Sequence, residues 1–277
     1  MNFFKHFKSK KPITEIYPII EELSKDTLHL LNSEMNTFSK IGGQPNVNEN
    51  FIWPTWKNKS LAFLAQLKFS EINGEGQLPN VPTSGLLHIF YDQEQSTWGF
   101  DPKDKGSWSL LFTKDENTPL NSPPYPSDID DEVKYKEIFL KSNAIKSYPN
   151  WEEKEISDLN MSETESDIYE DFRTSQYQNE SLHQIGGWPN PIQTPEMHIE
   201  CQLASNGLYC GDESGYNDPR AKELQKHAND WVLLMQIDSD DDASMMWGDT
   251  GILYFWIKKS DLKNEIFDHV WMVLQCG

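Results

Sequence analysis

The chain has 277 residues and a formal charge of −20, with ten tryptophans, ten tyrosines and fourteen phenylalanines. That much aromatic surface marks a folded protein, and a field of this sign repels phosphate backbones, which argues against nucleic acid as a partner. No apolar run approaches the roughly 20 residues needed to span a bilayer, and residues 1–11 lack the apolar stretch and cleavage site of a secretory signal.

Residues 1–11 hold Lys5, Lys8, Lys10 and Lys11 without an acid, among Phe3, Phe4 and Phe7. This reads as a flexible basic arm, too short for stable membrane insertion. From Pro12 to about Asn36, the residues Ile16, Ile19, Ile20, Leu23, Leu28, Leu30 and Leu31 recur at helical spacing and predict one helix, with Pro12 in its first turn. Lys40 to Lys114 shows short apolar runs cut by glycine and proline, the pattern of β-structure. Asn117 to Asp131, with prolines at 119, 123, 124 and 126, is irregular. Val133 to Ser147 predicts a further helix. Between Glu152 and Asp171 nine acids face Lys154 alone, which predicts a solvated helix or a mobile insert. The second half resumes near His183, with a short helix at Asp218–Leu224, capped by Asp218 and opened by Pro219. Strands follow near 231–237, 251–257 and 269–275.

These elements repeat. Ile41-Gly42-Gly43-Gln44-Pro45 returns as Ile185-Gly186-Gly187-Trp188-Pro189. The run Leu61–Leu67 is echoed by Val232–Ile237, Gly85–Tyr91 by Gly251–Ile257, and Trp108–Phe112 by Val270–Leu274. Four landmarks in one order predict a degenerate internal duplication. The expected fold is a β-rich α+β fold: two pseudo-repeated, mainly antiparallel β-units packed as one compact domain with flanking helices. That domain covers 12–277, with an N-terminal helix and first β-unit over 12–114, a Pro-rich and acidic insert over 115–180, and a second β-unit over 181–277.

The paired glycines fit neither G-x-G-x-x-G nor a P-loop, and are read as tight turns needing positive φ rather than as phosphate cradles. Gln66 and Gln236 each interrupt an apolar strand at the same point of the repeat. A buried glutamine must satisfy its hydrogen bonds, so each either holds the neighbouring Gly-Gly turn or faces a pocket. Asp238, Asp240 and Asp242 cluster as oxygen ligands, making them cation candidates, but without the glycine and distal glutamate of an EF-hand. Asp249, in Trp247-Gly248-Asp249-Thr250-Gly251, suits a turn into the next strand. His198, Cys201 and Cys210 fall one ligand short of a structural zinc site. Three cysteines, Cys201, Cys210 and Cys276, make no secreted disulfide framework, so the cytoplasm is the expected compartment.

The motifs Lys40-Ile41-Gly42-Gly43, Trp53-Pro54, Leu64-Ala65-Gln66, His183–Pro189, Gln236-Ile237-Asp238, Trp247–Gly251 and Trp271–Gly277 together resemble the YwqG-like family. The resemblance runs from about residue 12 to the C-terminus and implies a bacterial cytoplasmic protein with a compact, β-rich α+β fold. The family has no established function or catalytic residues, so the resemblance carries none. The chain departs from the family pattern by lacking a proline between Gly43 and Trp53-Pro54 and by its long acidic middle. The expected function is a non-catalytic binding module that engages a basic protein through its acidic surface, as an immunity or inhibitor protein would, with no cofactor. The alternative is a small-molecule binder or enzyme whose site lies where the two β-units meet, with Gln66, Gln236, Asp238 and Asp249 near its mouth.

Overall fold

The computed structural model describes residues 13–178 and 180–277. Helix α1 (Ile13–Leu23) leads into β1 (Lys25–Asn32) and the two-residue β2 (Lys40–Ile41). A hairpin of β3 (Thr55–Trp56) and β4 (Lys59–Ser60) precedes a meander of β5 (Ala62–Lys68), β6 (Leu86–Tyr91) and β7 (Trp108–Thr113). The single turn α2 (Phe69–Ile72) follows β5. After β8 (Ile138–Ser147) come α3 (Lys154–Ser157), α4 (Glu163–Ser175) and β9 (Gln184–Ile185). Helices α5 (Met197–Ala204) and α6 (Ala221–Leu224) lead to β10 (Trp231–Asp238), β11 (Ile252–Lys258), α7 (Lys259–Lys263) and β12 (Trp271–Gln275). The basic arm expected over 1–11 lies outside the described residues.

Every strand except β3 and β4 joins one antiparallel sheet, in the order β12-β11-β10-β9-β1-β8-β2-β5-β6-β7. The centre is the β1/β8 pair, in register from Lys25↔Ser147 to Asn32↔Leu140. Outward from it, β2 bridges β8 to the β5-β6-β7 meander, and β9 bridges β1 to the β10-β11-β12 meander. The register slips between Phe63 and Ala65 in one meander and between Leu233 and Met235 in the other, so that the out-of-register Leu64 and Leu234 each lie two residues before Gln66 and Gln236 respectively. The far edges curl together: Trp108 Nε1 donates to the Val270 carbonyl at 2.9 Å, and the Trp108 and Trp271 rings lie 5.1 Å apart, edge to face. The sheet is therefore nearly closed, which protects the edges that an open ten-strand sheet would expose. One core fills it, with Leu30, Leu64, Leu87, Leu140, Phe255 and Leu274 in the same cluster. The result is a β-rich α+β domain. No helix among the described residues is long and apolar enough to cross a membrane.

Six of the predicted strands, three in each meander, form as their apolar runs dictate. Two predicted helices do not. The helix expected over 12–36 stops at Leu23, and Leu28 and Leu30 belong to β1 instead. Thr27, Leu28, His29 and Leu30 are all buried, as befits a central strand covered on both faces, and such a run has no period of two to reveal it. The helix expected over 133–147 is strand β8 from Ile138 onward. Its polar composition gives little strand signal, and the eight-residue pairing with β1 overrides local preference. The helix at 218–224 is shorter than expected. Asp218 accepts from the Ala221 amide through its carbonyl and from the Arg220 amide through its side chain, and α6 begins only at Ala221.

Candidate functional site

Gln66 on β5 and Gln236 on β10 are both fully buried. Gln66 Oε1 accepts from the Asn46 amide at 2.8 Å, while Nε2 donates to the Phe38 carbonyl at 2.7 Å and to Asn46 Oδ1 at 3.0 Å. Gln236 Oε1 accepts from the Asn190 amide at 3.1 Å, and Nε2 donates to the Leu182 carbonyl at 2.7 Å. Each glutamine thus clamps both ends of the segment that carries Ile-Gly-Gly. The neighbours match as well. The Gly42 amide donates to Leu64 O and the Gly186 amide to Leu234 O, at 2.8 and 3.0 Å. His88 Nε2 donates to the Asn46 carbonyl at 2.7 Å, where Tyr254 Oη donates to the Asn190 carbonyl at 2.5 Å. All four glycines have positive φ, from 63° at Gly42 to 76° at Gly187. Gln275 on β12, absent from the sequence candidates, holds a third segment: Oε1 accepts from the Ile192 and Gln193 amides, both at 3.0 Å. Its signal was present, a polar amide closing the apolar run Trp271–Leu274.

The acidic loop after β10 is committed to internal bonds at its first residues. Asp238 Oδ2 accepts from the Leu182 amide at 2.9 Å. The buried His183 takes the Asp238 amide on Nδ1 at 3.0 Å, so Nε2 carries the hydrogen and donates to Asp240 Oδ2 at 3.2 Å. That bond holds the Asp240 carboxyl below its ordinary value, whereas burial raises Asp238. Asp242 and Asp249 are exposed, and Asp249 contributes its carbonyl to the Gly277 amide at 2.9 Å. Among the described residues, no three His, Cys, Asp or Glu side chains are grouped to hold a metal ion. The loop also docks across the molecule. Trp247 is fully buried against Tyr91 and Tyr135, its Nε1 donates to the Asp238 carbonyl, and the Gly248 amide donates to Gln95 Oε1.

Helix α5 carries a buried carboxyl. Glu200 receives the Tyr216 hydroxyl on Oε1 at 3.3 Å, and its Oε2 has no hydrogen-bond partner. Burial, and secondarily Glu196, push Glu200 from 4.5 up to about 7. Burial, followed by the Glu200 charge, also pushes the Cys210 thiol up to about 12, and burial raises Cys201. Both therefore stay protonated near neutrality, opposite to the lowered pKa of a cysteine nucleophile. A raised carboxyl means that the folded chain holds a proton the unfolded chain has released, so stability falls as pH rises from 4.5 to about 7. Glu200→Gln is expected to abolish that loss, worth up to about 3 kcal/mol. The stability gap between variant and parent, from urea melts at about pH 5, 6, 7 and 8, should widen through this window and then level off. Parallel curves would overturn the assignment.

The acidic insert is docked at one side and solvated at the other. Ile156 of α3 and Tyr169 of α4 bury into a satellite core with Ile20 and Tyr148. Ser162 caps α4 with Glu165 completing a capping box, which explains the start of this helix. Arg173, in its last turn, is buried and donates to Asn190 Oδ1 at 2.6 Å, tying the insert to the second Gly-Gly segment. Glu163, Asp167 and Asp171 are exposed at four-residue spacing, hence on one outer face of α4. Glu152, Glu155 and Asp158 are exposed around α3, and Trp151 and Ile168 are 47% and 44% exposed among these acids. Burial, and then the Glu155 charge, push Glu153 up to about 7, with Lys25 opposing. Lys25 itself lies with Nζ 3.2 Å above the Trp188 ring.

Two clefts open on the surface. One, of about 350 Å³, is lined by apolar residues including Phe51, Ile52, Leu111 and Leu120, with His88 among them. The other, of about 220 Å³, is lined by residues of both halves, including Lys105, Lys258 and His269. None of these cleft residues was singled out in the sequence. A search of curated proteins finds no match to the chain. The family model described as "Domain of unknown function (DUF1963)" matches residues 39–276. A match over most of the chain settles membership: this protein belongs to the DUF1963 family of domains of unknown function.

Proposed function

We propose that the protein is a non-catalytic cytoplasmic binding module, of the YwqG-like kind, built from a degenerate repeat and directed at a basic protein partner. The observation that carries this reading is the outer face of the insert. Glu163, Asp167 and Asp171 form a row beside the exposed Ile168, and Glu152, Glu155 and Asp158 are exposed in the stretch that begins with the exposed Trp151. An aromatic or aliphatic anchor inside a charged rim is the arrangement from which hot spots are made, and a uniform field raises association rates with an opposite partner. Glu153, raised by burial and then by the Glu155 charge, adds a signature. A cationic partner would draw Glu153 down from about 7 and release its proton, so binding should tighten as pH rises through neutrality. The matched clamps of Gln66 and Gln236 support the repeat and give both glutamines a scaffold role.

The test is capture of a basic protein by the full chain at low salt, followed by two triple variants of equal charge change. Glu163→Lys/Asp167→Lys/Asp171→Lys is expected to release that protein, with affinity reduced about a hundredfold. Glu75→Lys/Glu132→Lys/Glu213→Lys, exposed acids elsewhere, is expected to retain it. Equal loss in both, or recovery of no basic protein, would sink the proposal.

A further inference from the structure

The 220 Å³ cleft lies at the end of the seam where the turn before β7 meets β12. Lys105 enters it from the first half, while Ser205, Asn206, Trp231, Lys258, Asp261 and His269 enter from the second. In a chain carrying −20, some cationic side chains are ion-paired, as Lys40 is with Glu137 and Lys114 with Glu265. Lys105 and Lys258 have no carboxylate partner among the described residues; the Lys258 ammonium instead stands 5.4 Å from the Trp231 ring. The one carboxylate in the cleft is engaged, since Asp261 Oδ2 holds His269 Nδ1 at 3.1 Å. That bond orients the imidazole. The walls are fixed: Trp231 Nε1 donates to Gln202 and Trp271 Nε1 to the Gly99 carbonyl, both at 2.8 Å. Two ammoniums without a carboxylate partner, from opposite halves of the chain, and an aspartate-oriented histidine thus line one cleft of an otherwise anion-repelling molecule, while the Ser205 hydroxyl and Asn206 amide beside them are bonded to the Gln202 carbonyl.

We propose that this seam cleft binds a small organic phosphate, with Lys105 and Lys258 as its charge contacts and His269, positioned by Asp261, as a further polar contact. Lysine serves phosphate as a point charge. The volume, below the roughly 300–1,000 Å³ of drug-sized ligand sites, suits a ligand of about the size of a sugar monophosphate. Because Lys105 and Lys258 come from opposite halves, the bound anion would also brace the closed sheet. This site is separate from the acidic face of the insert, and either assignment can fail alone.

Calorimetric titration and thermal melts of the full chain at constant ionic strength test it, with inorganic phosphate, glycerol 3-phosphate and ribose 5-phosphate as probes and chloride as control. Saturable binding of at least one organic phosphate is expected, tighter than that of inorganic phosphate and accompanied by a raised Tm. Lys105→Met and Lys258→Met should each weaken binding about tenfold, and the double variant should abolish it while melting at the parent temperature without ligand. No saturable binding at about 10 mM of any probe overturns the proposal, as does unchanged binding by the double variant. Equal affinity for inorganic phosphate overturns the assignment of an organic ligand.

Discussion

Replacing Gln66 with leucine is expected to destabilise the protein by about 3–5 kcal/mol, and replacing Gln236 likewise by somewhat less. Leucine matches the glutamine in volume but leaves the Asn46 amide, the Asn46 side-chain oxygen and the Phe38 carbonyl without their partner. An unmet buried group forfeits roughly 1–3 kcal/mol, because water cannot reach it to compensate. At Gln236 two partners are stranded, the Asn190 amide and the Leu182 carbonyl, which is why its loss is the smaller. Urea unfolding with an unchanged slope measures both. A loss below about 1 kcal/mol at Gln66 would show that the Ile-Gly-Gly segment holds its shape without the clamp.

Alanine at Gly42 is expected to be comparably damaging, at about 3 kcal/mol or more. Two penalties combine there. The backbone sits at φ 63°, which an alanine tolerates poorly, and its Cβ would stand 2.2 Å from the Lys136 carbonyl oxygen. That carbonyl cannot retreat easily, because the adjacent Gly43 amide is bonded to Tyr135 O at 2.9 Å and the Lys136 amide to Ala243 O at 2.9 Å. Gly207 separates the two penalties. Its φ is 86°, but a Cβ there would meet nothing within 4 Å. Gly207→Ala should therefore lose only the backbone share, about 1 kcal/mol. If the two variants melt alike, the close approach at Gly42 contributes nothing.

How much of this molecule its sequence reveals depends on what each residue faces. The meander strands announce themselves, since Leu61–Leu67 and Gly251–Ile257 are apolar runs bounded by glycine or polar turns. The glutamines are legible for the opposite reason, as polar amides inside those runs, and Gln275 obeys the same rule. The central strands are concealed. β1 is covered on both faces, which erases its alternation, and β8 is held by its partner rather than by its own composition. The acidic composition of the insert is plain in the sequence, but the role of Arg173 in fastening it to Asn190 depends on a contact between segments 17 residues apart. The seam cleft is the least legible feature. The β11/β12 pairing that ends at Trp256↔Trp271 sets Lys258 beside His269, and only closure of the sheet brings Lys105 to them.

The central position of β1 and β8 has a consequence for assembly on the ribosome. β1 emerges early, yet its full-length neighbour β8 follows about a hundred residues later and its other neighbour β9 about fifty later still. Until both arrive, an apolar strand with two unpaired edges must wait, as pairings this distant along the chain form slowly. The β5-β6-β7 meander can form in the meantime from local contacts, whereas the β10-β11-β12 meander comes last and closes the seam. The two halves of the sheet are thus separable on paper but not in the chain: the strands that join them are drawn from both, and a nascent chain cut between them would leave each half without its central neighbour.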